Sequence, residues 1–250
     1  MNDLFGQART IPAGRADMAV DAGLRSFMLG VYNKMALGLL LSGVLAYIVG
    51  SSQQLTMTLL SPPLGYVVMF GPLAILLISS FTMRNPSPTA ASIVYWAVVA
   101  LIGVGMGGIV YVYTGMPGGM VIVAKAFLTT SLAFGALSLW GYTTKRDLSG
   151  FGVFLMMGLF GLIIASLVNM GFRIFTGAEI SGLSLAISVL GVLIFAGLTA
   201  YDTQRLKYMY YDLGGDQRSM AVATTYGALN LYLNFINMFM FILRLMSPRN

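Results

Sequence analysis

The segment Ala221-Val222-Ala223-Thr224-Thr225-Tyr226-Gly227-Ala228-Leu229-Asn230-Leu231-Tyr232-Leu233-Asn234-Phe235-Ile236-Asn237-Met238-Phe239-Met240-Phe241-Ile242-Leu243-Arg244-Leu245-Met246 settles the architecture of this chain. It exceeds the ~20 residues that a helix needs to cross a bilayer. It shows no alternation at strand period, which argues against a transmembrane barrel. Its polar residues Tyr226, Asn230, Asn234, Asn237 and Arg244 recur at steps of four, four, three and seven. That spacing keeps them on one face of a helix, with Leu, Phe, Met and Ile elsewhere. An amide in hydrocarbon needs partners. The face therefore either holds the bundle together through interhelical hydrogen bonds or lines a cavity or pore, with Asn230, Asn237 and Tyr226 as its lining.

Six more apolar stretches precede it, at about 27–50, 64–83, 89–113, 119–142, 150–172 and 180–201. Pro and Gly punctuate the connections: Ser61-Pro62-Pro63, Asn85-Pro86-Ser87-Pro88 and Gly115-Met116-Pro117-Gly118-Gly119. The pattern predicts an all-α integral membrane protein of seven transmembrane helices. Residues 1–26 form a polar, cytoplasmic N-terminal segment without a cleavable leader, 27–246 the membrane domain and 247–250 a tail. Short connections make successive helices antiparallel neighbours. The run Gly103-Val104-Gly105-Met106-Gly107-Gly108 lacks a preceding strand and a following Lys, so it reads as close helix packing and not as a nucleotide loop.

Composition agrees. Of 250 residues 58% are hydrophobic and 9% charged, against roughly 25% charged in soluble domains. Mean hydropathy is +0.84. There is no Cys and no His, which excludes disulfides, thiolate catalysis, Cys/His zinc sites and histidine pH sensing. The net charge of +6 does not point to nucleic acid, because the basic residues sit in connections between apolar spans. With the N-terminus cytoplasmic, the inner segments hold Arg9, Arg15, Arg25, Arg84, Lys145, Arg146, Arg205, Lys207 and Arg218. The outer ones hold Arg173 and Arg249, with Arg244 near the outer end of the last helix. This asymmetry predicts a multi-pass inner (plasma) membrane protein with its N-terminus cytoplasmic and its C-terminus outside.

Ionisable groups within a span are costly and point to function by default. Lys34, Lys125 and Arg244 lie near helix ends and can snorkel to an interface. Asp202 closes the apolar run Leu193–Tyr201. It reads either as a hydrated helix-end carboxylate or as one that needs a cation, since an anion at a helix C-terminus meets the negative end of the dipole. Arg84, assigned to the same membrane face, is the expected cation.

Three runs carry a resemblance: Gly141-Tyr142-Thr143-Thr144-Lys145-Arg146-Asp147-Leu148-Ser149-Gly150, Leu198-Thr199-Ala200-Tyr201-Asp202-Thr203-Gln204, and Ala228-Leu229-Asn230-Leu231-Tyr232-Leu233-Asn234-Phe235-Ile236-Asn237. With Gly23-Leu24-Arg25-Ser26-Phe27 and Val31-Tyr32, they resemble bacterial members of the Bax inhibitor-1 family over nearly the whole chain. The resemblance implies six helices in two layers around a central seventh. It also implies a slow, pH-sensitive calcium leak without ATP, gated by two hydrogen-bonded aspartates on helices six and seven and an Arg on helix two. These map onto Asp202, Asn234 and Arg84.

Asn234 departs from the family pattern, which has Asp there. Two close carboxylates resist joint ionisation and so switch with pH; an amide cannot ionise, yet it can hydrogen-bond Asp202. A calcium ion, which favours several oxygens, would meet one carboxylate, Asp202, instead of two. Weaker or acid-shifted pH control and poorer calcium selectivity follow. The rival expectation is a non-conducting membrane modulator of proteases or of stress and cell-death regulators. Neither reading makes the chain an enzyme or calls for a cofactor; calcium enters as the transported ion, and the partners are the bilayer and other membrane proteins. An intramembrane aspartyl protease would require Asp216 beside Asp202, but Asp216 falls in the polar loop between the last two spans.

Overall fold

The computed structural model describes residues 13–83, 85–177 and 180–247, with side chains from residue 22 onward. Among these residues it is all-helical. The elements are α1 (Ala13–Gly50), α2 (Gln53–Leu60), α3 (Leu64–Thr82), α4 (Pro88–Thr114), α5 (Gly119–Thr143), α6 (Ser149–Thr176), α7 (Ser181–Asp212) and α8 (Gln217–Met246). Seven are long and apolar enough to cross a membrane, α1 over Ala22–Gly50. The short α2 lies in the connection after the first span.

Local chemistry sets the boundaries. Ser87 caps α4 by accepting the Ala90 N–H at 3.1 Å, and Pro88, which lacks an N–H to satisfy, opens the helix. Asp216 caps α8 through the Ser219 N–H at 2.8 Å. Gly177 ends α6 in the left-handed conformation at φ 75°, where a Cβ would be strained.

The last helix, α8, is the core of the bundle. Leu231, Tyr232 and Met238 on it are wholly buried. It packs against α1, α4, α5 and α7, while α3 leans on α4 and α6 on α7. The central seventh span is thus as expected, with four of its six companions touching it and two outside them. The outer helices expose side chains that water would not tolerate in such numbers: Phe81 on α3 and Ile174 and Phe175 on α6 are 81%, 72% and 90% exposed. Lipid is the solvent that fits this surface.

The glycine run of α4 is a packing face. A Cβ on Gly103 would fall 2.7 Å from the Ser42 Cα, and one on Gly107 would fall 2.5 Å from the Val49 Cγ1. The missing side chains let α1 and α4 approach closely.

One boundary differs from the sequence expectation. The sixth span does not end at Tyr201; α7 continues to Asp212. Hydropathy falls after Tyr201 because Asp202, Arg205 and Lys207 enter, but the peptide stays helical there. Asp202 is therefore ten residues inside α7. Its presumed position against the negative end of a helix dipole is wrong, and with it the dipole argument for a nearby cation.

Candidate functional site

Asp202 and Asn234 meet. The Nδ2 of Asn234 on α8 donates to the Asp202 Oδ2 on α7 at 2.7 Å. Asn234 is 6% exposed and Asp202 is half-buried. A hydrogen bond to a charged acceptor in such a setting is stronger than one between neutral groups. Arg205, one turn on along α7, is exposed. Arg84 lies outside the described residues.

The family-like runs around Asp202 form its scaffold. Gln204, 2% exposed, donates through Nε2 to the Arg146 carbonyl at 2.7 Å. Its Oε1 accepts the Leu148 N–H at 2.8 Å. The amide thus pins the α5–α6 connection to α7. A Cβ on Gly141 would fall 2.8 Å from the Ala200 Cα, so α5 closes on α7 at that level. Lys207 reaches the Tyr142 carbonyl at 3.3 Å and lies 5.5 Å from its ring centre. These partners are 56 to 65 residues apart in sequence, and spacing alone gives no sign of them.

The polar stripe of α8 divides. Asn234 points into the bundle, whereas Asn230 and Arg244 are exposed and Tyr226 and Asn237 half-exposed. Asn237 donates only to the Leu233 carbonyl of its own helix, at 2.8 Å. Apart from Asn234, the stripe's amides therefore do not tie helices together among the described residues. Asn230, Asn237 and Tyr226 lie on a side of α8 that the described residues leave partly open. At the α8 N-terminus this side opens into a cleft of about 550 Å³, lined by Asn85, Met209, Arg218, Ser219 and Tyr226 among others.

A second polar cluster was not foreseen. Lys34 on α1 does not merely snorkel: its Nζ donates to Thr225 Oγ1 at 2.7 Å and Ser92 Oγ at 3.0 Å, joining α1, α4 and α8. The Tyr95 hydroxyl donates to the Lys34 carbonyl at 2.6 Å. Further along, Ser42 Oγ donates to the Val99 carbonyl at 2.9 Å and lies 2.7 Å from the Tyr232 hydroxyl. These bonds fix the flank of α8 that meets α1 and α4. Lys125 is exposed, as an interfacial residue would be.

Seven long apolar helices, the last of them buried at the centre, with a carboxylate–amide pair between the last two, define a polytopic helical membrane protein with a polar site inside the bundle. The sequence matches the family model described as Inhibitor of apoptosis-promoting Bax1 over residues 24–250, and the chain belongs to that Bax inhibitor-1 family. An uncharacterised protein of Caulobacter vibrioides is 55% identical across 97% of both chains. An uncharacterised protein of Rickettsia prowazekii is 38% identical over 98% of this chain and 99% of its own length. The inner membrane protein YbhL of Escherichia coli is 36% identical over 94% of this chain and 97% of its own. With the seven apolar helices, these relatives make the chain a multi-pass protein of the inner membrane.

Proposed function

We propose that this protein is a slow, pH-sensitive leak for calcium, with its N-terminus cytoplasmic and its C-terminus outside. The observation that carries the reading is the Asp202–Asn234 hydrogen bond of 2.7 Å, set beside the uncovered polar face of the central helix. Asp202, bonded to Asn234, is the carboxylate among the described residues that an ion moving along Tyr226, Asn230 and Asn237 would meet. A single carboxylate with amide oxygens makes a weak, transient calcium ligand set, in keeping with passage and not storage. Gating consists of making and breaking the α7–α8 bond as the charge on Asp202 changes. Asn234 keeps its donor at every pH, so control is weaker than with two carboxylates. Arg84 enters as the counter-charge on the resemblance alone. No reaction is catalysed and no cofactor is needed; calcium is the cargo.

A non-conducting modulator of other membrane proteins is the second reading, and Asn234 in place of a second carboxylate is what favours it. Calcium entry into liposomes holding the purified protein, followed between about pH 5 and 8, where perturbed carboxylates can titrate, separates the two. Flux that varies with pH, and loses that variation in Asp202→Ala, supports the leak. Folded protein without flux of calcium or monovalent cations favours the modulator.

A further inference from the structure

A groove on the lipid-facing side, remote from the open face of α8, runs between α1 and α5. These two helices do not pack on each other, and both lean on α8. The groove has a volume of about 440 Å³ and is lined by Arg25, Met28, Tyr32, Phe134, Gly135 and Ser138, among others. That volume is in the range of small-ligand clefts, ~300–1,000 Å³. Three features give it a specific character. Its floor is apolar: Met28 is 4% and Phe134 6% exposed. Its one cation, Arg25, is exposed, and it lies close to where the first apolar span begins, at Ala22. Ser138 lines the groove; it is 6% exposed as a residue, and its enclosed hydroxyl has no hydrogen-bond partner among the described residues, so a turn about its Cα–Cβ bond toward the groove breaks no bond. Buried hydroxyls in helices ordinarily bond a carbonyl one turn back, as Thr130 does to Ala126 at 2.7 Å. An unpaired one calls for an explanation.

We infer that this groove is a binding site for an anionic glycerophospholipid, whose acyl chain lies along α1 and α5, whose ester carbonyl accepts the Ser138 hydroxyl, and whose phosphate pairs with Arg25. The vertical order fits. Arg25 lies three residues into the first span, which begins at Ala22, and Ser138 lies five residues before the end of α5 at Thr143, so at 1.5 Å per residue Ser138 is about 3 Å further from the end of its span than Arg25 is from the start of its own. A lipid's ester groups likewise lie below its phosphate. Lys207, held against Tyr142 at the same end of α5, adds positive charge near the headgroup. Phospholipid is favoured over a soluble phosphate because the walls are hydrocarbon and the groove faces the membrane. The inference does not depend on conduction.

Gly135 supplies the test. It lines the groove, and a Cβ added there meets nothing within 4 Å. Gly135→Leu therefore adds bulk to the groove lining, with its first carbon in open space. The full-length protein in detergent is mixed with phosphatidylglycerol or phosphatidylcholine of identical chains, and retained lipid is counted by native mass spectrometry. Wild type is expected to hold phosphatidylglycerol about fivefold better, the effect of one basic residue near an anionic headgroup. Arg25→Gln abolishes that preference, Ser138→Ala weakens retention of both lipids, and Gly135→Leu removes it for both. Equal retention of the two headgroups by wild type overturns the inference, as does retention indifferent to Gly135→Leu, which is the mark of unspecific annular lipid. Displacement of phosphatidylglycerol by soluble glycerol phosphate overturns it too, because the site then reads phosphate and not lipid. Should Gly135→Leu fail to fold by circular dichroism, the Arg25→Gln arm decides alone.

Discussion

Asn234→Ala removes the donor that ties α8 to Asp202 and leaves a small gap in its place. Hydrogen bonds to charged groups contribute about 1.5–3 kcal/mol in soluble proteins, but interhelical bonds within membranes average nearer 0.6 and reach about 1.7. The 2.7 Å distance and the burial of Asn234 argue for the upper part of the membrane range. The partial exposure of Asp202, which lets water replace the amide, argues against going beyond it. We therefore expect a loss of about 1–1.7 kcal/mol in α7–α8 docking, a factor of about 5–20 in any equilibrium that breaks this bond. If the bond holds the pathway shut, calcium entry into liposomes rises by that factor in Asn234→Ala. Asp202→Ala and the double variant complete a cycle, measured both as flux and as thermal unfolding in detergent. Changes in the two single variants that simply add, with no coupling, would refute the claim that the pair acts as a unit.

Other expectations follow from the same geometry. Asn234→Asp restores two facing carboxylates and should steepen the dependence of calcium flux on pH; an unchanged flux–pH curve counts against the pair. Gly103→Val forces α1 away from α4, since even the first added carbon would sit 2.7 Å from the Ser42 backbone. The expected cost is about 1–3 kcal/mol, the usual range for overpacking, visible as a lower melting temperature in detergent. The Asp216 carboxyl is held below the ordinary aspartate range by its hydrogen bonds from the Ser219 side chain and backbone. Its folded-state value is depressed, so its cap contributes fully above about pH 4, the ordinary value, and fades as pH falls through the lowered one. Asp216→Ala should accordingly melt earlier than wild type at neutral pH and approach it in strong acid, as thermal scans at several pH values would show.

The seven spans were legible because lipid imposes a simple requirement: about twenty apolar residues, with every polar backbone group bonded internally. Helix ends from α3 to α6 fall close to where Pro, Gly and charge interrupt the apolar runs. The exception at α7 has the same origin. Hydropathy reports depth in the membrane and not helicity, so Thr203–Asp212, charged but helical, read as the end of the span. That error put Asp202 at a helix terminus and supplied a false reason for a nearby cation. The short α2 escaped because eight mixed residues carry no periodic signal.

At the site, the Asp202–Asn234 contact was legible through motif resemblance and through the helical spacing of the α8 stripe. Whether that stripe bonds neighbours or faces open space was not, because it depends on which helices cover it. The bonds of Lys34 to Ser92 and Thr225 span 58 and 191 residues, and its place near a helix end suggested only snorkelling. Gln204 lay inside a quoted motif, yet its bonds to the Arg146 and Leu148 backbone follow from the three-dimensional meeting of two motifs.

The central claim is that ions move along the uncovered polar face of α8, and Asn230, exposed on that face with no interhelical bond among the described residues, tests it most directly. The measurement is the initial rate of calcium entry into liposomes carrying wild type or Asn230→Leu at equal protein density, against empty liposomes. The account predicts a wild-type rate above that of empty liposomes and a rate close to empty for Asn230→Leu, with melting temperature preserved because Asn230 anchors nothing. A wild-type rate no higher than that of empty liposomes, or a variant that leaks as fast as wild type, would contradict it.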